Sequence, residues 1–300
     1  MKIVFLGTPD FAVPSLELIN QKFDLVAVIT APDKKGGRGH VWIESPVKKW
    51  SLLHDKKLLQ PKNLKSKKFL NELEQLSADV FVVVAFRMLP KEVWNMPKLG
   101  TINLHGSLLP KYRGAAPIQR AILNGEKITG LTTFLLKEEI DTGDILLQKK
   151  ITIEQDENFG SLYERMKHIG SHLLIETLNI LQAKIITPIK QVNELATPAP
   201  KISTQDLKIN WNQPVENIYN QIRAFSPFPG AWTSHENKVY KIFSGKKILS
   251  LPDESPGSWV IENRKSLKIA CQDGYIEVTS IQPPSKKCMN ISDFLNGFQI

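Results

Sequence analysis

Lys2-Ile3-Val4-Phe5-Leu6-Gly7-Thr8-Pro9-Asp10-Phe11-Ala12 opens the chain with an apolar run, a glycine and a proline, and that order decides the fold class. The run to Leu6 has the length of a strand. Pro9 stands where the first turn of a helix accepts a residue lacking an amide hydrogen, and Phe11, Ala12, Leu16 and Ile19 follow at helical spacing. Residues 25–29 read as a second strand, and residues 79–85, nearly continuous in Val and Phe, as one buried on both faces. Residues 160–181 carry Leu162, Met166, Ile169, Leu173, Leu174, Leu178 and Leu181 as one apolar helical stripe. Strands alternating with helices predict an α/β fold with a doubly wound parallel sheet. The first turn is Gly7-Thr8-Pro9-Asp10 in place of Gly-x-Gly-x-x-Gly, and Pro9 has no amide to offer a pyrophosphate, which argues against a nicotinamide or flavin dinucleotide. Asp10 reads as a helix cap.

Ligands of such sheets bind beyond the carboxyl ends of the strands, where the strand order reverses. A strand over residues 100–104 delivers Asn103 and His105 to such an end. Alternation puts the two on one face, about 6.5 Å apart along the chain. An imidazole moves protons near neutral pH, and a side-chain amide donates to a developing oxyanion without titrating. Asp141, before Thr142-Gly143, can orient the ring or accept a proton. An isolated Asn-x-His is ordinarily a pair of hydrogen-bonded polar residues at a strand end, but here Ser107-Leu108-Leu109-Pro110 follows at once and Asp141 comes after it. Together these residues are equipment for acyl transfer without a covalent intermediate.

The pattern Asn103-x-His105, Ser107 to Pro110 and Asp141 resembles the folate-dependent formyltransferases. The likeness extends through residues 1–12, Gly36-Gly37-Arg38-Gly39, Ser45-Pro46-Val47-Lys48, Tyr112-Arg113-Gly114-Ala115-Ala116-Pro117, residues 197–202 and residues 222–230, nearly the whole chain. Within the family, these runs are most similar to members that formylate the methionine carried by initiator tRNA. The resemblance implies 10-formyltetrahydrofolate as formyl donor, no metal, and Asn103, His105 and Asp141 as catalytic residues. It also implies a folate pocket lined by Ser107, Leu108, Leu109 and Pro110, with Phe86, Arg87, Met88 and Leu89 contributing mainly backbone groups. The leucines read equally well as core. Where the family often carries Ala-Tyr-Gly, this chain reads Ala85-Phe86-Arg87.

The formal net charge is +9, and residues 34–68 account for all of it, with eleven Lys and Arg against Glu44 and Asp55. So local an excess is the footprint of phosphate neutralisation, although charge runs are commonly no more than solvated faces. The resemblance implies that the loop around Arg38, with Lys34, Lys35, Lys48 and Lys201, clasps the acceptor stem of the tRNA. Arg113 and Lys111 suit either a phosphate or the glutamate tail of folate.

From about residue 186 prolines accumulate, with an extended connector predicted over residues 186–205 between a catalytic domain of residues 1–185 and a C-terminal domain of residues 206–300. A helix over residues 215–225 and short strands at 238–243, 267–271 and 275–279 suggest a small barrel, and the resemblance implies an OB-like, tRNA-binding one. Cys271 and Cys288 lack metal or disulfide spacing and read as reduced thiols, and His168 and His172 as a helix-surface pair. No run approaches the roughly 20 apolar residues of a membrane span, so the expected location is the cytoplasm, with no membrane association and no obligate protein partner, as a monomer. Competing readings are a formyltransferase for a small amine (glycinamide ribonucleotide or an amino-sugar nucleotide), a formyl-folate hydrolase, and an RNA-binding protein without catalysis. The basic segment and second domain weigh against the first, and the joint presence of Asn103, His105 and Asp141 against the last.

Overall fold

The computed structural model describes residues 1–36 and 41–297. Its first sheet has seven strands: β1 (Lys2–Gly7), β2 (Asp24–Ile29), β5 (Leu58–Leu59), β6 (Val80–Val84), β7 (Thr101–His105), β8 (Ile128–Leu135) and β9 (Ile145–Thr152). A separate hairpin pairs β3 (Lys34–Gly36) with β4 (Val41–Ile43). The sheet order is β5-β2-β1-β6-β7-β8-β9. From β5 to β7 the pairings are parallel, and β7 pairs β8 antiparallel. The sheet expected to be parallel is therefore parallel in its first five strands only. The order reverses between β1 and β6, so the carboxyl ends of β1, β6 and β7 lie where a ligand crevice forms.

Burial follows the apolar runs. Ile3, Val4, Phe5 and Leu6 have no exposure, and all of β6 is buried. One face of the sheet packs Leu6, Ile29, Phe81 and Val83 against Phe69 and Leu73 of the helix Lys67–Gln75. The helix Phe159–Gln182 buries Leu162, Met166, Leu173, Leu174 and Leu178 of its predicted stripe, with Ile169 and Leu181 only partly covered. Its Gly170 lets the helix approach β7, since a Cβ there would stand 2.8 Å from Leu104. Gly7 is needed for a similar reason: a Cβ would meet Ala12 at 2.8 Å and the Val84 carbonyl at 3.1 Å. After Gly7 the chain makes a 3-10 turn over Asp10–Ala12 before the helix Val13–Lys22, with Pro14 in its first turn. Asp10 makes no capping bond. It accepts from the Tyr163 hydroxyl at 2.8 Å and faces Lys167 Nζ at 3.6 Å.

The second sheet is antiparallel, with order β10 (Ala231–His235), β11 (Lys238–Ile248), β14 (Tyr275–Gln282), β13 (Ser266–Ala270) and β12 (Trp259–Glu262), and β15 (Met289–Asn290) added to β14. Its core joins Ile242, Leu267, Ile269, Ile276 and Val278 to Val215, Ile218 and Ile222 of the helix Val215–Ala224. Among the described residues the pairings form an open path with β10 and β12 at its ends, rather than the closed ring of a barrel. Cys271 is buried and Cys288 exposed, both as free thiols.

The chain divides into two compact units at Pro198/Ala199, inside the predicted connector. Residues 115–129 and 152–162, assigned by sequence to the first domain, pack with the second. The reason is local bonding. Ile153 donates its amide to the Lys127 carbonyl, Gly160 to that of Ser226, and Arg223 reaches the Glu157 carbonyl at 3.1 Å.

Candidate active site

At the carboxyl end of β7, Asn103 and His105 share a face, flanked by Val83 of β6 and by Phe134 and Thr132 of β8. His105 is 6% exposed, its ring edge-on to Phe134 with centroids 6.4 Å apart. Its Nε2 lies 2.8 Å from the Tyr112 carbonyl oxygen and its Nδ1 lies 3.6 Å from Asp141 Oδ2. Both ring nitrogens thus face acceptors. The Nε2 contact is a hydrogen bond, and Asp141 stands at ion-pair distance from Nδ1. The Asp141 carboxylate is itself held by the Gly114 amide at 2.8 Å and is almost buried. Asn103 is half-buried, and its amide makes no hydrogen bond within the described residues. A fixed imidazole and an uncommitted amide on one strand end are suited to receive a developing oxyanion.

The loop after β7 is built less for ligand contact than its sequence suggested. Ser107 is fully buried and donates to the Lys111 carbonyl at 2.6 Å, and Leu109 is 3% exposed in a cluster with Phe134 and Ile145. The side chains of Ser107 and Leu109 thus support the loop from inside, as the core reading of the leucines allows. Leu108 and Pro110 are partly exposed, with Leu108 resting on Gly130. Thr132, buried among apolar neighbours, donates to the Ser107 carbonyl at 2.7 Å and accepts from the Leu109 amide at 3.1 Å, while Gln148 bonds the Leu109 carbonyl at 2.8 Å. Neither was singled out by sequence; the available signal was hydroxyl-bearing residues inside an otherwise apolar strand.

After β6, Ala85 adopts φ 48°, Phe86 and Arg87 are half-buried, and Met88 is 68% exposed. Leu89 is buried in the core beside Val93, so its side chain lines nothing. Arg87 turns its guanidinium to the Pro61 and Lys62 carbonyls and over the Phe86 ring. Its Nε is buried without a partner, and burial lowers its basicity.

In the basic segment, Lys34 and Lys35 are exposed on the hairpin, with Lys35 Nζ 5.4 Å from the centroid of Trp42, itself 61% exposed. Lys201 is exposed as well. Lys48 differs: its ammonium sits 2.5 Å from Asp33 and 2.8 Å from Glu44, which raise its pKa, so its charge is already compensated and it is withdrawn from the phosphate-binding set. Arg38 lies outside the described residues. Arg113 is bonded through Nε and Nη2 to Gln191 at 3.0 Å and 2.7 Å and through Nη2 to Asn193 at 2.9 Å, which fixes the orientation of its guanidinium. Among the described residues no group of three or more His, Cys, Asp or Glu is placed to hold a metal, and no helix is long and apolar enough to cross a membrane.

An α/β sheet ending in an Asn, a His and an Asp, followed by an antiparallel domain, defines a class. The pattern of the formyl transferase family matches residues 1–178, and that of the formyl transferase C-terminal domain matches residues 201–299. The chain belongs to the formyl transferase family. It is 45% identical to the methionyl-tRNA formyltransferase of Bacteroides fragilis, over 100% of this chain and 96% of that one, and within the family it stands with the methionyl-tRNA formyltransferases. Two solved structures share the fold. The N-formyltransferase of Helicobacter canadensis, in complex with folinic acid and dTDP-3-aminofucose, has TM-score 0.71 at 24% identity over 93% of this chain and 98% of that one. The methionyl-tRNA formyltransferase of Clostridium thermocellum has TM-score 0.57 at 17% identity over 82% and 93%.

Proposed function

We propose that this protein transfers the formyl group of 10-formyltetrahydrofolate to the α-amine of methionine on initiator tRNA, yielding formyl-methionyl-tRNA for translation initiation. The observation that carries the chemistry is the uncommitted Asn103 amide beside a His105 ring whose two nitrogens face the Tyr112 carbonyl and Asp141. The amine attacks the formyl carbon, the carbonyl oxygen becomes an oxyanion, Asn103 donates a hydrogen bond to it, and His105 does so by exchanging the Tyr112 carbonyl on its Nε2 for the oxyanion. Asp141 holds the ring and, directly or through water, helps remove the proton that the attacking amine loses. As the new C–N bond forms and the bond to N10 breaks, a proton returns to N10. The pterin lies against the backbone of residues 86–89 and of the loop 107–110.

The tRNA acceptor stem is read by the basic segment. Lys34, Lys35 and Arg38 on and beside the hairpin supply cations, and Lys201 adds one from the connector. Exposed Trp42 offers a ring face on which an unpaired base can stack. The roles proposed are formyl transfer for the first unit and tRNA binding for the second, and the protein acts as a cytoplasmic monomer.

The test is transfer of labelled formyl from 10-formyltetrahydrofolate, with methionine-charged initiator tRNA, free methionine, glycinamide ribonucleotide, an amino-sugar nucleotide and water as parallel acceptors. Product on the charged tRNA alone supports the reading. Transfer to a small amine, or release of formate, overturns the acceptor while leaving the pocket chemistry in place.

A further inference from the structure

Both groups that fix His105 sit on strained backbone. Tyr112, whose carbonyl faces Nε2, has φ 61°, and Asp141, whose carboxylate faces Nδ1, has φ 55°. Non-glycine residues seldom adopt this left-handed region, and they hold it only where neighbours over-determine it. Here one neighbour of each comes from the stretch that the sequence presents as a mere connector, beside the Gly114 amide on the Asp141 carboxylate.

Gln191 accepts twice at Oε1 from Arg113, at 3.0 Å and 2.7 Å, and donates twice from Nε2, to the Asp141 carbonyl at 2.9 Å and the Gly143 carbonyl at 2.7 Å. All four hydrogen-bonding positions of its amide are used, two of them on the turn that carries the catalytic carboxylate. Six residues on, Thr197 accepts the Tyr112 amide on Oγ1 at 2.9 Å, and its carbonyl accepts the Arg113 amide at 2.9 Å.

We infer that Gln191 is a positioning residue for the transfer reaction: it holds the Asp141 turn at the spacing that lets the carboxylate meet His105, with Thr197 bracing the Tyr112 side of the same ring. The inference rests on the reading of His105 and Asp141 as the catalytic pair. Arg113 is thereby assigned to the brace, with its guanidinium held by neutral amides.

The experiment compares Gln191→Met and Gln191→Glu with wild type and His105→Ala in the formyl-transfer assay, measuring kcat, KM for both substrates and Tm. Gln191→Glu keeps acceptors for Arg113 but places a carboxylate against the Asp141 and Gly143 carbonyls, so it separates the two halves of the brace. Displacing a catalytic group by a fraction of an ångström to 1 Å costs on the order of 10- to 100-fold. The expected result is a kcat loss of that order in both variants with KM for tRNA and folate unchanged, and recovery of the Gln191→Glu deficit, relative to wild type, as acid protonates the new carboxyl and restores a donor. Wild-type kcat in both variants, or a loss confined to KM, overturns the inference. If His105→Ala also retains full turnover, the catalytic reading itself has failed, whereas full turnover in the Gln191 variants alone removes only the brace.

Discussion

Asn103 and His105 differ in how firmly the protein holds them, and the difference matters for catalysis. His105 is enclosed and oriented by acceptors at both nitrogens, while Asn103 keeps its donors unspent. An amide already bonded within the protein would have to break that bond before stabilising an oxyanion; this one does not. Removing one such donor costs ~3 kcal/mol in the transition state, so Asn103→Ala and His105→Ala should each lower kcat by about two orders of magnitude with KM for tRNA little changed. Steady-state kinetics with saturating folate checks this, and wild-type turnover in either variant refutes the assignment. That Asn103, His105 and Asp141 come near one another was legible because three chemically expressive residue types stand at a recognisable spacing. Ser107, Leu109 and Leu89 were not legible as structural support, since a serine or leucine beside a site looks the same in sequence whether it faces ligand or core. Arg87 was legible only as a departure, because its partners are the carbonyls of Pro61 and Lys62, which carry no sequence signature.

Among elements, the hairpin of β3 and β4 carries the exposed Lys34 and Lys35, whereas Lys48 on the helix Pro46–Leu53 sits between two carboxylates. A charge count cannot tell these apart, because Asp33 and Glu44 neutralise Lys48 only after folding brings them within 3 Å. Lys34→Ala and Lys35→Ala should each raise KM for tRNA and make its logarithmic salt dependence shallower by about one unit for each phosphate no longer neutralised, while Lys48→Ala leaves that slope unaltered. Kinetics between low and moderate salt give the slopes directly. Equal slopes for all three variants would remove the hairpin from the interface. The long elements were legible from periodicity, since 24 residues at helical spacing in Phe159–Gln182 leave little ambiguity. The antiparallel turn into β8 was not, because strand direction depends on how the chain returns and not on the strand's own residues.

For the molecule as a whole, boundaries written by composition and boundaries written by packing diverge. The prolines near residue 198 do mark where the chain passes between units, yet residues 115–129 join the second unit through bonds to residues remote in sequence. One is an ion pair between Arg120 and Asp206 at 2.9 Å. Burial by itself would raise the Asp206 pKa, but bonds from Ser203 and Arg120 outweigh it and hold the carboxyl at about 2 against an ordinary 3.8. The folded value is depressed, so the stabilisation is complete above about pH 4 and fades as the pH falls from there through about 2. Asp206→Asn should cost about 1 kcal/mol near neutrality, as expected for a partly solvated pair, and the gap to wild type should close below pH 4. Urea unfolding across that range measures it; a gap independent of pH would show that the charge contributes nothing.

The Asp-Thr-Gly triplet looks like one motif, but two unrelated necessities wrote it. On the proposed mechanism Asp141 is there for its carboxylate. Gly143 is there because the Leu135 carbonyl oxygen stands 1.6 Å from where its Cβ would be. Among the described residues the Thr142 side chain between them bonds the Glu139 carbonyl alone, at 3.1 Å. A library randomised over the three codons and selected for activity should return aspartate and glycine at the ends for these separate reasons and many residues in the middle. Selected only for a folded, soluble product, the same library should release the first position and keep the third. What reads as a signature of chemistry is half a signature of space, and selection for folding alone can divide it.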